Sequence, residues 1–300
     1  MAKSRAKKST KTVTNIIIFV VAVIIVIVGN AVSDKKENTP AVNETDSKMY
    51  INFIDVGQGN CTLITCGDTA ILVDGGESAY GEKVVNYLKE KNVEDIDLLI
   101  ATHPHSDHIG GLTEVAKTYS IGDIIMPSVP KSIIPTSSTY KNFLQAISDN
   151  HKKIIKAQSG MTYTYGEMNV EIFGPVRDYD DLNNESVVSR ISYGETSVML
   201  MGDAETEAEK DLLKSGNDFK ASILNVGHHG SKSSSGKSMI EAINPEYAII
   251  CCGEGNDYGH PHKQTLTTLN KYGIEYYRTD IEGDIVFESD GKTVKAIPHN

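Results

Sequence analysis

The chain has 300 residues, 39% of them apolar, so it has enough side-chain volume to close a buried core and is not predominantly disordered. Its formal charge is −11, yet Lys3, Arg5, Lys7, Lys8 and Lys11 precede every acidic residue, which leaves 24 basic side chains against 40 acidic ones beyond Lys11, a formal −16. Such a balance argues against a domain that grips nucleic acid through a broad basic face, because that binding rests on neutralising phosphates with Lys and Arg. A phosphate-bearing substrate would need local positive charge, which a metal ion supplies.

The basic leader, residues 1–12, runs into an unbroken apolar stretch at 16–29 (IIIFVVAVIIVIVG), and with its flanks the segment 13–33 reaches the ~20 residues that a spanning helix needs. Two readings follow, an uncleaved membrane anchor or a signal peptide cut near Ala31. By the positive-inside rule, either one places the remainder outside the cytoplasm. The expected location is therefore the cell membrane with the folded part outside, or a secreted chain after cleavage. Residues 34–48 (DKKENTPAVNETDSK) read as a flexible linker, so the folded domain is expected over 49–300. Cys61, Cys66, Cys251 and Cys252 lack paired C-x-x-C spacing and read as small buried hydrophobes, although an exported chain could pair them.

From Tyr50 the runs YINFIDVG, CTLITC and AILVDGG read as consecutive strands joined by turns. Residues 82–91 place Val84, Val85 and Leu88 on one helical face, and IDLLIAT from Ile96 is apolar without alternation, as a strand buried on both faces is. Helices are expected over 112–119, 140–149, 204–215, 237–243 and 263–272, alternating with strands in DIIMP, MNVEIFG, SVVSRIS, SVMLMGD, ASILNVG and YAIICCG. No fixed-period repeat is present. An opening meander followed by strand–helix alternation favours an α/β fold of two sheets packed face to face with helices outside, an αββα sandwich.

The chemistry concentrates directly after IDLLIA, where residues 102–111 read THPHSDHIGG. Three imidazoles and a carboxylate fall within six residues, and Pro104 with the two glycines favours a loop on which they converge. Imidazole nitrogen and carboxylate oxygen suit zinc, manganese or iron, and the lack of cysteine here argues against a closed structural zinc site. Asp203 ends the apolar run SVMLMGD, where a carboxylate is costly unless it caps a helix or binds metal. Asp74 in ILVDGG reads as a turn aspartate or a support for the loop. In HHGS, His228 and His229 precede serines 231 and 233–235, which read as an exposed loop rich in donors.

These motifs resemble the metallo-β-lactamase superfamily, whose H-x-H-x-D-H signature is matched by His103, His105, Asp107 and His108. FIDVGQGNCTLI, NNESVVSRISYGETSVMLMGDAE, NVGHHGSKSS and YGHPH, from residue 49 onward, further resemble the hydrolase domain of ComEC-type competence proteins. The resemblance implies one or two divalent ions, Zn or Mn, held by His103, His105, Asp107, His108 and Asp203, with Asp74 supporting the loop from behind; His260 is the favoured last ligand, with the choice between it and His228 open. It also implies Asp107, His228 and His229 as catalytic, one of the last two being the general acid, and no organic cofactor. The family's third motif usually offers a histidine where this chain has Asn183 and Asn184, so Asn184 is expected beside the ligands. The implied substrate is a phosphodiester, with extracellular DNA, single-stranded in particular, ahead of a cell-wall polymer ester. HHGS and YGHPH point away from a β-lactamase. A tethered binding module weakened at the third motif is the rival from another class. ComEC-type proteins carry many spans and this chain has one candidate, so DNA transport is not implied.

Overall fold

The computed structural model describes residues 47–298. The leader, the apolar segment and the linker up to residue 46 lie outside the described residues. Among the described residues no helix is long and apolar enough to cross a membrane.

Strands β1 (Met49–Phe53), β2 (Thr62–Cys66) and β3 (Thr69–Val73) form the expected antiparallel meander. Helix α1 (Gly81–Glu90) then crosses over to β4 (Ile96–Ile100), parallel to β3. After the single turn α2 (Ser106–Ile109) and helix α3 (Leu112–Thr118), β5 (Ile121–Met126) and, beyond α4 (Ser138–Asp149), β6 (Ile154–Lys156) extend the parallel run. The second sheet repeats this plan. Strands β7 (Thr162–Tyr165), β8 (Met168–Ile172), β9 (Ser189–Tyr193) and β10 (Thr196–Leu200) are antiparallel. Helices α5 (Thr206–Lys214), α6 (Lys237–Ile243) and α7 (Lys263–Lys271) then alternate with the parallel strands β11 (Ile223–Asn225), β12 (Tyr247–Ile250) and β13 (Glu275–Arg278). A short helix α8 (Thr279–Glu282) returns the chain to the first sheet, where β14 (Ile285–Ser289) pairs with β1 and β15 (Val294–Ile297) closes the edge. The sheet orders are β15-β14-β1-β2-β3-β4-β5-β6 and β13-β12-β11-β10-β9-β8-β7.

Side-chain parity makes the layers. In β4, Leu98 and Ile100 join the cluster between the sheets, while Leu99 faces the helix side with Val84, Leu88 and Val115. In β10, Val198 and Leu200 point to the same central cluster, and Met199 meets α5 and α6 through Leu212, Met239 and Ile240. Strands apolar at every position are what a sheet covered on both faces requires, and three apolar clusters separate four layers in the order helix, sheet, sheet, helix. All four cysteines are buried and unpaired; Cys66 and Cys251 belong to the central cluster.

Phe287 anchors that centre, fully buried, with its ring centroid 5.1 Å from Tyr247, 5.7 Å from Tyr277 and 6.4 Å from Phe53. Phe287→Ala removes contacts to both sheets and is expected to cost about 3–5 kcal/mol, read as a lower urea midpoint at unchanged slope.

Candidate metal centre

Open α/β sheets place ligands beyond the carboxyl ends of their parallel strands, and here the parallel runs of both sheets end at one place. Asp74 follows β3, residues 102–109 follow β4, Asp203 follows β10, Gly227–Gly230 follow β11 and His260 follows β12. Thr102 O accepts from Val187 N (2.8 Å), and Asn60 N donates to Asp107 O (3.1 Å), so backbone bonds tie the loops together.

The sequence suggested an unconstrained loop at 102–111, but Ser106–Ile109 form one helical turn, closed by Ile109 N to His105 O at 3.0 Å. This turn sends Asp107 and His108 towards the centre. Its close approach to the Asp74 turn depends on glycine: a Cβ on Gly111 would lie 2.1 Å from Gly75 O, while Gly111 N donates to Gly76 O and Gly75 N to His108 O.

Asp74, fully buried with φ +59, is the support beneath the centre. Its carboxylate accepts from Thr102 N (2.8 Å), Thr102 Oγ1 (2.7 Å) and His108 Nδ1 (2.7 Å). With Nδ1 so engaged, His108 presents Nε2 to Asp203 Oδ1 at 3.2 Å. His229 is fixed in the same way, its Nδ1 donating to Cys251 O (2.9 Å) and its Nε2 lying 3.2 Å from Asp107 Oδ2 and 3.6 Å from Asp203 Oδ2. Such outer partners set the tautomer and the aim of a ligating imidazole.

Two donor sets result, sharing Asp203. Asp107, His108, Asp203 and His229 bring one ligand atom each within 4.8 Å of one another, and so do His103, His105 and Asp203. His103 Nε2 lies 2.9 Å from His105 Nδ1 and 3.8 Å from Asp203 Oδ2. His108 Nε2 and Asp203 Oδ1 are buried without a hydrogen-bond partner, although they stand 3.2 Å apart. Buried polar atoms are rarely left so, and donors converging on a common point without bonding one another fit a divalent cation between them.

Burial holds His103 well below the usual imidazole range and lowers His105, the first also repelled by His108. Burial opposes charge on His229 and His108 too, but Asp203 with Asp107 lifts His229 to about 9, and Asp203 with Asp74 lifts His108 well above its ordinary value. Burial likewise works against the Asp203 charge, and His108, His229 and His103 hold its carboxyl well below the carboxylate range. The Asp203 carboxyl is thus ionised, and a cation bound beside it would displace the protons that it holds on His108 and His229.

The structure differs from the sequence reading at several residues. His260 belongs to neither donor set; its ring centroid lies 6.1 Å from that of His229, and its backbone N–H donates to Asn256 Oδ1 (3.0 Å). His229 stands where His260 was expected, because left-handed backbone at His228 (φ 49) and His229 (φ 54) turns the second imidazole inward. His228 remains outside both sets, with Nδ1 2.9 Å from Glu205 Oε1 and Nε2 3.7 Å from Asp203 Oδ2. Asn184 is not beside the ligands: its Oδ1 accepts from Glu205 N and Ala208 N (3.1 Å each), fixing the start of α5. Asn183 lines the cleft instead, and Ser186, which no pattern singled out, places its hydroxyl 3.4 Å from His103 Nδ1 while accepting from Asp203 N (2.9 Å).

The serine loop is not an exposed array of donors either. Ser231, Ser234 and Ser235 are buried, Ser234 Oγ donates to Ala204 O (2.7 Å), and the Glu209 carboxylate accepts from the backbone of Ser235 and Gly236. Lys232 is exposed, and Lys237 is exposed beside Glu241.

The centre opens into a cleft of about 310 Å³, with His105, Asp107, Asp203 and His229 at one side and Gln58, Asn183, His228, Tyr258 and His260 among the rest of the lining; among the described residues no Lys or Arg lines it. A larger groove of about 600 Å³, lined by Tyr50, Tyr87 and Asp284 among others, contains none of the ligand residues.

Residues 54–254 match the family model of the metallo-beta-lactamase superfamily. The chain belongs to that superfamily. ComE operon protein 3 of Bacillus subtilis, a ComEC-type competence protein, is 31% identical over 260 residues, 80% of this chain and 33% of the relative. Exodeoxyribonuclease WalJ of Streptococcus pneumoniae is 31% identical over 122 residues, 40% of this chain and 42% of that protein. The chain thus spans a third to under half the length of these relatives. The fold of the superfamily protein YhfI from Bacillus subtilis superposes with a TM-score of 0.54 at 17% identity, over 81% of this chain and 100% of that one. The αββα fold and the capacity for divalent metal follow from the superfamily and the His/Asp cluster together.

Asp74→Ala would leave Thr102 N–H and the aim of His108 unsupported; a 10- to 100-fold loss of metal affinity is expected, on the order of other losses behind a ligand, measured by competition with a chromophoric chelator. Glu209 gives a pH signature. Burial raises its carboxyl to about 7, so the folded chain keeps a proton that the unfolded chain releases near its ordinary value of 4.5. Its contribution to stability is therefore fully present below 4.5 and falls as the pH rises through about 7. Between pH 5 and 7 the stability of Glu209→Gln should decline less steeply than that of the unsubstituted chain in urea titrations.

Proposed function

We propose that this metal-dependent hydrolase is a phosphodiesterase that cleaves DNA outside the cytoplasm, single strands in particular, while held at the membrane by the apolar segment 13–33. The observation that carries the hydrolytic reading is the pair of donor sets sharing Asp203 beside an uncommitted imidazole, His228. The substrate is argued from ComEC-type relatives and from the relative named an exodeoxyribonuclease.

When bound, divalent ions, zinc or manganese, acidify water and neutralise charge developing on a phosphoryl oxygen. His103, His105 and Asp203 would hold one, and Asp107, His108, Asp203 and His229 the other. The first set supplies three protein ligands and would leave a position open for water or substrate, as catalytic sites require, whereas the second supplies four. His228, with Glu205 behind Nδ1, presents Nε2 towards Asp203 and the cleft, where it can donate to the leaving oxygen. The asparagines of the third motif belong to neither set, and metal content per chain after reconstitution separates the hydrolase from a binding module that has lost its ions. A second reading, hydrolysis of a cell-wall phosphodiester, is favoured by one feature: the cleft has no Lys or Arg to follow a long polyanion.

Reconstitution with Mn or Zn, metal analysis and turnover of a labelled single-stranded oligonucleotide test the scheme. Asp203→Ala should empty both donor sets and Asp107→Ala only one, each lowering kcat by about 10²- to 10³-fold or more; His228→Ala should keep its metal and lose about 10²-fold or more. Chelator should abolish turnover. Full activity in Asp203→Ala, or turnover that survives chelation, refutes the metal mechanism; hydrolysis of small polyol phosphodiesters alone would transfer the assignment to the second reading.

A further inference from the structure

Among the described residues Tyr258 is the one exposed aromatic side chain, 67% accessible, and it lines the cleft that holds the metal ligands. This ring is held in place. It stacks on His260, with centroids 5.6 Å apart and planes inclined by 20°. The loop that carries both rings is pinned by Asn256, whose Nδ2 donates to Gly253 O (2.9 Å) and His260 O (2.7 Å) while its Oδ1 accepts from His260 N (3.0 Å). His260 in turn lies beside His228 and His229, with centroids 5.4 and 6.1 Å away. An aromatic step therefore leads from the metal ligands to the mouth of the cleft and ends in a flat face open to solvent.

We infer that Tyr258 is a stacking platform for a nucleobase adjacent to the scissile phosphate, which makes the substrate a phosphodiester bearing unpaired bases. The inference rests on the phosphodiesterase reading above and narrows it. A phosphate at the metal ligands would leave its neighbouring nucleoside near the cleft mouth. A flat aromatic face binds any base and gains little from a polyol, which has no π-face. Duplex DNA keeps its bases stacked on one another, and the formal −16 beyond Lys11 offers no broad basic surface to hold it. With no Lys or Arg in the cleft, stacking is the available means of gripping a strand.

The test compares a single-stranded oligonucleotide with a base-free oligomer of the same phosphodiester backbone, using metal-loaded full chain, Tyr258→Ala and Tyr258→Phe. The readout is the ratio of kcat/KM for the intact strand to that for the base-free one. Tyr258→Ala is expected to lower this ratio by about 5- to 150-fold, the change that one base–aromatic stack of about 1–3 kcal/mol yields, mainly through KM, whereas Tyr258→Phe restores it. A ratio unchanged in Tyr258→Ala, or a loss shared equally by both substrates, overturns the platform while leaving the phosphodiesterase standing. Failure of the unsubstituted metal-loaded chain to cleave either oligomer refutes the DNA-cleaving reading and the platform with it.

Discussion

Asp203 sets the terms for everything around it. Its carboxylate is 2% exposed, and the side chains that approach it as ion-pair partners are four imidazoles, from His103, His108, His228 and His229. A carboxylate removed from water is costly unless opposite charge or hydrogen bonds replace the solvent. The imidazoles around Asp203 hold its carboxyl ionised, yet His108 Nε2 and Asp203 Oδ1 remain without hydrogen bonds. A divalent cation meets that deficit, so the same grouping that weakens the fold as an ion cluster is what fits it to bind metal.

Assembling these groups requires both sheets. The first sheet contributes Asp74 and the turn with Asp107 and His108; the second contributes Asp203 and the His228–His229 turn. Each sheet changes from antiparallel to parallel pairing before these residues, and the first parallel strand ends of both halves meet. Strain accompanies the convergence: Asp74, His228 and His229 adopt left-handed backbone without being glycine. Such conformations persist only where surroundings over-determine them, here through Asp74's three hydrogen bonds and the Cys251 carbonyl that accepts from His229.

The cleft beyond is chemically lopsided, rich in histidine and carboxylate and empty of Lys and Arg. A polyanion approaching an acidic chain would gain its attraction at the centre itself rather than along a groove. Outside the two donor sets the cleft offers Gln58, Ser106, Asn183, His228, Tyr258 and His260 as contacts.

The sequence by itself determined the elements whose signal is local. Strands buried on both faces, such as β4 and β10, carry continuous apolar runs (LLIA and VMLM), and α6 runs over the residues that the sequence marked. The strands it did not reveal include β6, β7, β13 and β15, the four sheet edges, where half-exposed segments such as TYTY carry little apolar pattern, together with β14. The donor types and their crowding at 103–108 were equally legible, since three imidazoles and a carboxylate in six residues need no tertiary context to suggest metal. Only the tertiary structure decided which histidine joins Asp203. His229 and His260 lie 31 positions apart on neighbouring strand ends, and the choice rests on the left-handed turn at 228–229 and on the Cys251 carbonyl, features set by packing between distant strands. For the same reason the spacing could not separate Asn183 at the cleft from Asn184 at the start of α5, because side chains one residue apart part company only when the backbone takes its final course.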